Sequence, residues 1–192
     1  MFTDQPKKIY TTPLSGVLKE RAHAGDVGFD MATSKMTLIF KSGKSVVIDC
    51  ANEIPSDTIQ KEIEDAIKAD KGWFFKNSPK KGVKKIVCDT NVHIEPDAGI
   101  WTMAVPNSRL CKTDSIVLQN SVGIIDRGYR GSIKMTYLVT DPNYNVEDIM
   151  MLRRSCGQLI PFVFFDANID YKLFLGDTER GDKGFGSTDT TS

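Results

Sequence analysis

The chain has 192 residues, 40% of them hydrophobic, enough for one domain with a substantial core and too little for two. Lys+Arg and Asp+Glu number 25 each, so no net field marks a general nucleic-acid binder, stable nucleic-acid binding is not expected, and any anion site must be local. The scattered Cys50, Cys88, Cys111 and Cys156, with only His23 and His93 beside them, argue against a structural zinc and for buried thiols in a reducing compartment. No apolar run reaches membrane-spanning length and no signal-peptide pattern opens the chain, so a soluble, cytoplasmic protein is expected.

Along the chain, short apolar runs rich in β-branched and aromatic residues predict strands at Met36–Phe40, Ser45–Ile48, Lys85–Cys88, Ile100–Val105, Ser115–Leu118, Ser132–Val139, Leu159–Phe165 and Tyr171–Leu175. Glycine, proline, asparagine and aspartate punctuate them at short intervals, the pattern of an all-β sandwich or barrel. Lys41-Ser-Gly-Lys-Ser45 ends like a phosphate-binding loop, but the glycine required five residues before Gly43 is Leu38, and Ser42-Gly43 reads as a hairpin turn. Ile59, Ile63, Ala66 and Ile67 recur at helical spacing. They predict one amphipathic helix near 57–70, with Asp57 and Gln60 as a capping pair. Lys71-Gly-Trp-Phe-Phe-Lys76 and the basic run up to Lys85 follow. Interleaved aromatics and lysines can hold single strands, but a solvated lysine face is the commoner use.

Between Val105 and Tyr137 two strand-like runs flank Asn120, Gly123, Gly128 and Gly131, which predicts a hairpin with an open interior rich in free backbone amides and carbonyls. Asp126 follows two isoleucines there and is either a turn residue or a carboxylate that takes a proton from water. The chain closes on Arg180-Gly-Asp-Lys-Gly-Phe-Gly-Ser-Thr188. Its glycines let the backbone approach a ligand, its amides and Arg180 suit phosphate, and Phe185 suits a flat heterocycle.

Five stretches together resemble the motifs of the trimeric dUTP pyrophosphatases (dUTPases). They are Gly28-Phe-Asp30-Met31, Pro106-Asn-Ser108-Arg-Leu110, Asn120 with Gly123-Ile-Ile-Asp126-Arg-Gly-Tyr129-Arg-Gly131, Gln158-Leu-Ile160, and Arg180–Thr188. The resemblance implies a distorted jelly-roll β-barrel in a homotrimer that shares its active sites between subunits. It also implies hydrolysis of dUTP to dUMP and pyrophosphate, limiting uracil in DNA and supplying dUMP. On this likeness Asp126 orients and deprotonates the attacking water. Asn120, Gly123 and Ile125 read uracil along the hairpin, and Tyr129 packs on the deoxyribose. Ser108, Arg109 and Gln158 meet the phosphates. Arg180, Gly186, Ser187 and Thr188 close on the γ-phosphate while Phe185 stacks on the base. Asp30 acts through water on a Mg²⁺ held by the triphosphate.

The likeness has gaps. Asn107 stands where the family has an arginine, Arg109 where it has a glycine, and Ser155 where another arginine is usual, with Arg153 and Arg154 just upstream; Asp189 stands where a final glycine is common. One domain spans 1–192, with an insertion at about 41–84 and a C-terminal arm over 176–192. The compact, divergent motifs suggest a phage or viral origin, hence the host cytoplasm. Two alternatives compete. A regulatory relative would bind a protein partner through the insertion. A dCTP deaminase would need a glutamate where this chain has Thr136.

Overall fold

The computed structural model describes residues 7–11, 18, 23, 25–71 and 82–163. In chain order these form β1 (Ile9–Thr11), β2 (Phe29–Met31), β3 (Lys35–Phe40), β4 (Ser45–Asp49), α1 (Ser56–Lys71), β5 (Val83–Asp89), β6 (Ile94–Pro96) and β7 (Ile100–Val105). A 3-10 turn (Ser108–Lys112), β8 (Ile116–Leu118), β9 (Gly123–Ile125), β10 (Lys134–Val139), α2 (Val146–Arg154) and β11 (Gly157–Val163) follow.

Period-two alternation decides which way each strand faces. Met36, Leu38 and Phe40 of β3, Ile86 and Cys88 of β5, and Met135 and Tyr137 of β10 point into the core from a five-stranded antiparallel sheet ordered β4-β3-β5-β10-β8. Met31, Ala104 and Leu159 join the same core from a four-stranded sheet ordered β2-β11-β7-β9, while β1 and β6 pair separately. The turn between β3 and β4 lies where Ser42-Gly43 predicts it, with Gly43 at φ +89° and its amide donating to the Phe40 carbonyl. The tract of residues 164–192, with the expected strand at Tyr171–Leu175, lies outside the described residues, as does most of the basic aromatic loop.

The helix predicted at 57–70 begins one residue earlier, which changes its cap. Asp57 falls inside the first turn, where its charge favours the positive end of the helix dipole, and Gln60 donates to Glu64 at 3.2 Å instead of reaching back. Its apolar stripe is part of the core: Ile59 and Ile63 are fully buried and Ile67 nearly so. Each such isoleucine contributes about 1.5–3 kcal/mol by leaving water.

The expectation of a single helix is corrected by α2. Asn145 caps it, its side chain accepting from the Asp148 amide while the Asp148 carboxylate accepts from the Asn145 amide. Ile149 and Leu152, three residues apart, are buried against the core. Arg153 then ties α2 to the segment leading into α1, donating to the Ile54 carbonyl at 2.7 Å, the Ala51 carbonyl at 3.3 Å and Ser56 Oγ.

Candidate active site

The open hairpin predicted between residues 105 and 137 forms by a division of labour. Strands β8 and β10 pair with each other in the five-stranded sheet, Leu118 opposite Tyr137, whereas the intervening β9 crosses to the other sheet and pairs with β7. The loop that follows β9 is held from several sides. Arg130 donates to the Arg127 carbonyl at 2.6 Å and pairs with Glu95 at 3.1 Å, and the His93 ring meets the Arg130 carbonyl at 2.8 Å. Tyr129 Oη donates to the Ser132 carbonyl at 2.9 Å, and Ser132 Oγ donates in turn to Asp89, which pairs with Lys134 at 3.4 Å. Partial burial alone would raise the Asp89 carboxyl. The bonds from Ser132 and the Asn91 amide, with the Lys134 charge, outweigh it and hold Asp89 below its ordinary value.

Gly131 makes this loop possible. A Cβ there would stand 2.6 Å from Tyr129 Cζ, so the ring lies over the glycine with no room for a side chain between them. The result is a cleft of about 200 Å³ lined by Ile124, Ile125, Asp126, Tyr129, Ile133 and Lys134. Three of the predicted residues, Ile125, Asp126 and Tyr129, meet here. Asn120 and Gly123 sit at the other end of β9, where Gly123 faces Ala104. Lys134 was not foreseen. Its sequence signal is only an exposed position in a strand, and its place at the cleft comes from the pairing with Asp89.

Three other predicted residues gather at a second place. Gln158 on β11 is flanked by Asp30 of β2 on one side and Val105 of β7 on the other, and the chain passes from Val105 directly into the turn that carries Ser108. Gly28 is packed against this group: a Cβ there would come 3.0 Å from Gln158 Oε1. The two places are apart. β9 ends with Ile125 opposite Thr102, and Gln158 lies opposite Val105, three residues further along β7. Between Ile125 and Gln158 that amounts to about 10 Å along the strands and about 10 Å, two strand spacings, across them.

The motif positions without arginine are sealed. Asn107 Nδ2 donates to Ser155 Oγ at 2.6 Å, both residues being buried. Arg180, Phe185, Gly186, Ser187 and Thr188 lie outside the described residues.

No protein-family model matches the chain. The deoxyuridine 5'-triphosphate nucleotidohydrolase of Escherichia phage T5 is 32% identical over 150 residues, 73% of this chain and 92% of its own. The chain belongs to the dUTPase family. The dUTPase of Clostridioides difficile is 38% identical over 100 residues, 52% of this chain and 67% of its own. Among solved structures, the phage 80alpha dUTPase with dUpNHpp superposes with a TM-score of 0.58 at 15% identity, over 97% of this chain and 99% of that one. The phage phi11 dUTPase, in which a species-specific insert is visualised, gives 0.53 at 11%, over 91% and 100%. At these identities the likeness fixes the fold, the jelly roll of the dUTPases.

Asp30 Oδ1 is a buried carboxylate oxygen with no hydrogen-bond partner, beside the amide of Gln158. Hard oxygen donors of this kind suit magnesium and its retained waters. Among the described residues no three His, Cys, Asp or Glu side chains gather as a protein cage. Among the described residues Asp30 is thus a single buried carboxylate, which would suit an ion carried mainly by other oxygens. No helix among the described residues is long and apolar enough to cross a membrane.

Proposed function

We propose that this dUTPase hydrolyses dUTP to dUMP and pyrophosphate by in-line attack of water on the α-phosphate. The observation that carries the reading is the cleft that sets the Asp126 carboxylate beside the Tyr129 ring on a loop braced through Arg130, Ser132 and Asp89. Asp126 orients the attacking water and takes its proton, a role that needs one carboxylate at hydrogen-bond distance from the nucleophile. The Tyr129 ring packs on the deoxyribose, closing the space a 2'-hydroxyl would need. The backbone from Asn120 to Ile125 pairs with uracil. Ser108 Oγ and the Gln158 amide hydrogen-bond the phosphate chain. Arg180, Gly186, Ser187 and Thr188 close on the γ-phosphate with Phe185 over the base. Mg²⁺, when bound, neutralises the triphosphate charge, and Asp30 meets its water shell.

The separation of about 10 Å along and about 10 Å across the strands between the end of β9 and Gln158 supports a reading in which Asp126 does not serve the Gln158 of its own protomer. The reading therefore includes a homotrimer in which each site is completed by a second copy. Deamination of dCTP is disfavoured because Thr136 occupies β10 opposite Val87, where that chemistry needs a carboxylate. The test is to incubate the protein with dUTP, dCTP and dTTP in the presence of Mg²⁺. Pyrophosphate should be released from dUTP alone, and Asp126→Asn should slow that release by about 10²–10⁴-fold. Ammonia from dCTP, or undiminished turnover in the variant, would overturn it.

A further inference from the structure

Val92, Ile94 and Pro96 are buried, so by period-two alternation His93 and Glu95 point the other way, toward the loop that carries Tyr129. The backbone beneath His93 is fixed. The Val92 carbonyl accepts from the Ile133 amide at 3.0 Å, and Thr90 donates to the Ile133 carbonyl through both its amide and its hydroxyl. Asn91 stands at φ +53° with its amide donating to Asp89 at 3.0 Å. The His93 ring spans these two segments: Nε2 lies 3.4 Å from Asn91 Oδ1, and Nδ1 lies 2.8 Å from the Arg130 carbonyl. A carbonyl only accepts, so Nδ1 carries the hydrogen and His93 is the donor to Arg130.

Within the loop, the Asp126 carbonyl accepts from the Tyr129 amide at 2.9 Å, the Arg127 and Tyr129 carbonyls from the Arg130 guanidinium, and the Ser132 carbonyl from Tyr129 Oη. The Arg130 carbonyl is met from outside the loop, by His93. It belongs to the peptide that leads into Gly131. Such a peptide can turn over, as between type I and type II turns, and the flipped form puts the next residue at positive φ, which glycine takes without strain. Among the described glycines only Gly43, Gly82 and Gly99 have positive φ, so Gly131 keeps the unflipped form. The glycine that the Tyr129 ring requires beneath it is therefore also the residue that leaves its own peptide free to turn. A turn would re-aim the Arg130 oxygen and the Gly131 amide immediately beside that ring and change the surface on which it rests.

We propose that His93 is a positioning residue for sugar selection: its Nδ1 donor holds the Arg130–Gly131 peptide in one orientation, and with it the seat of the Tyr129 ring. The inference rests on the reading in which that ring packs on the deoxyribose. His93 acts through the loop and not on the nucleotide itself. Its effect belongs to the sugar end of the cleft, because the turn from Asp126 to Tyr129 is closed by its own backbone bond and does not depend on the peptide beyond it. Glu95 complements it from the next outward position, pairing with the Arg130 side chain while His93 takes the Arg130 carbonyl.

The test compares wild type, His93→Ala, His93→Asn and His93→Gln in steady-state hydrolysis of dUTP and UTP, with the thermal midpoint of each protein measured alongside. Asparagine sets its amide nitrogen where Nδ1 stands, whereas the longer glutamine carries its nitrogen to the place of Nε2. Loss of one hydrogen bond should let the peptide turn over, so His93→Ala should raise KM for dUTP and lower the dUTP-to-UTP ratio of kcat/KM, each by about 3–10-fold. The kcat for dUTP should stay within about twofold, and every variant within about 4 °C of the wild-type midpoint. His93→Asn should recover most of the ratio and His93→Gln should not. An unchanged ratio in His93→Ala, a loss confined to kcat, or equal recovery by glutamine would overturn the proposal. A ratio that merely follows the thermal midpoint across the three variants would do the same, by making His93 a plain structural tie. A wild-type protein that leaves dUTP intact would instead sink the underlying reading, and would do so before any variant is made.

Discussion

Tyr129 is positioned by an absence and a bond. The missing Cβ of Gly131 lets its ring lie down, and the donation to the Ser132 carbonyl keeps it there. Gly131→Ala should therefore push the ring off its seat and loosen the sugar end of the cleft. The expected result is a KM for dUTP raised about tenfold and weaker discrimination against UTP, since in the proposed reading the ring excludes a 2'-hydroxyl. Steady-state kinetics with both nucleotides checks this, and an unaltered dUTP to UTP ratio would contradict it. At this scale part of the candidate cleft was legible as a local cluster. Ile125, Asp126, Tyr129 and Gly131 are close in sequence and stay close in space. The Asp89–Ser132 bond and the Arg130–Glu95 pair, which brace them, join positions about 40 apart and leave no local pattern to read. The role of Arg153 was equally hidden, because the carbonyls of Ala51 and Ile54 that it meets lie about 100 positions away in sequence.

Among the elements, α1 is part of the core rather than an appendage. Ile59, Ile63 and Ile67 enter the same core as Leu38 and Leu152, and β4, the edge strand beside it, pairs with β3 over five residues. Deleting residues 50–80 would thus remove core rather than trim a rim. The link between the helices is Arg153, whose guanidinium satisfies two backbone carbonyls and the Ser56 hydroxyl. Arg153→Ala should lower unfolding stability by about 1–3 kcal/mol, measured by urea denaturation, because the carbonyls lose a charged donor. A change within error would show that water replaces it freely. The periodicity of α1 was plain because four apolar residues recur over nine positions. The nine residues of α2 give about two and a half turns, and its markers, Asn145 with Asp148 and the spacing of Ile149 and Leu152, are each weak alone. The short strands β2, β6 and β9, three residues apiece, carry too few alternations to stand out from loops.

For the whole molecule, two features follow from the shared core. Burial pushes the Cys50 thiol up to about 11 from an ordinary 9.0 and raises the Tyr137 hydroxyl as well. A folded-state value above the unfolded one means that the contribution to stability is intact below pH 9 and lost as pH climbs toward 11, where the unfolded chain has already ionised. The thermal midpoint should fall across that window, and Cys50→Ala should flatten the fall; an identical slope in the variant would refute the assignment. The second feature is the separation between the end of β9 and Gln158, which the proposed reading resolves by drawing each active site from two subunits. This is open to one decisive measurement. Asp126→Asn protein and Ser108→Ala/Gln158→Ala protein, each defective alone, are unfolded, mixed in equal amounts and refolded, and dUTP hydrolysis is assayed. Random reassembly of sites that draw Asp126 from one subunit and the phosphate-side residues from another should restore about a quarter of wild-type activity. Activity no greater than the sum of the two parents would contradict the account.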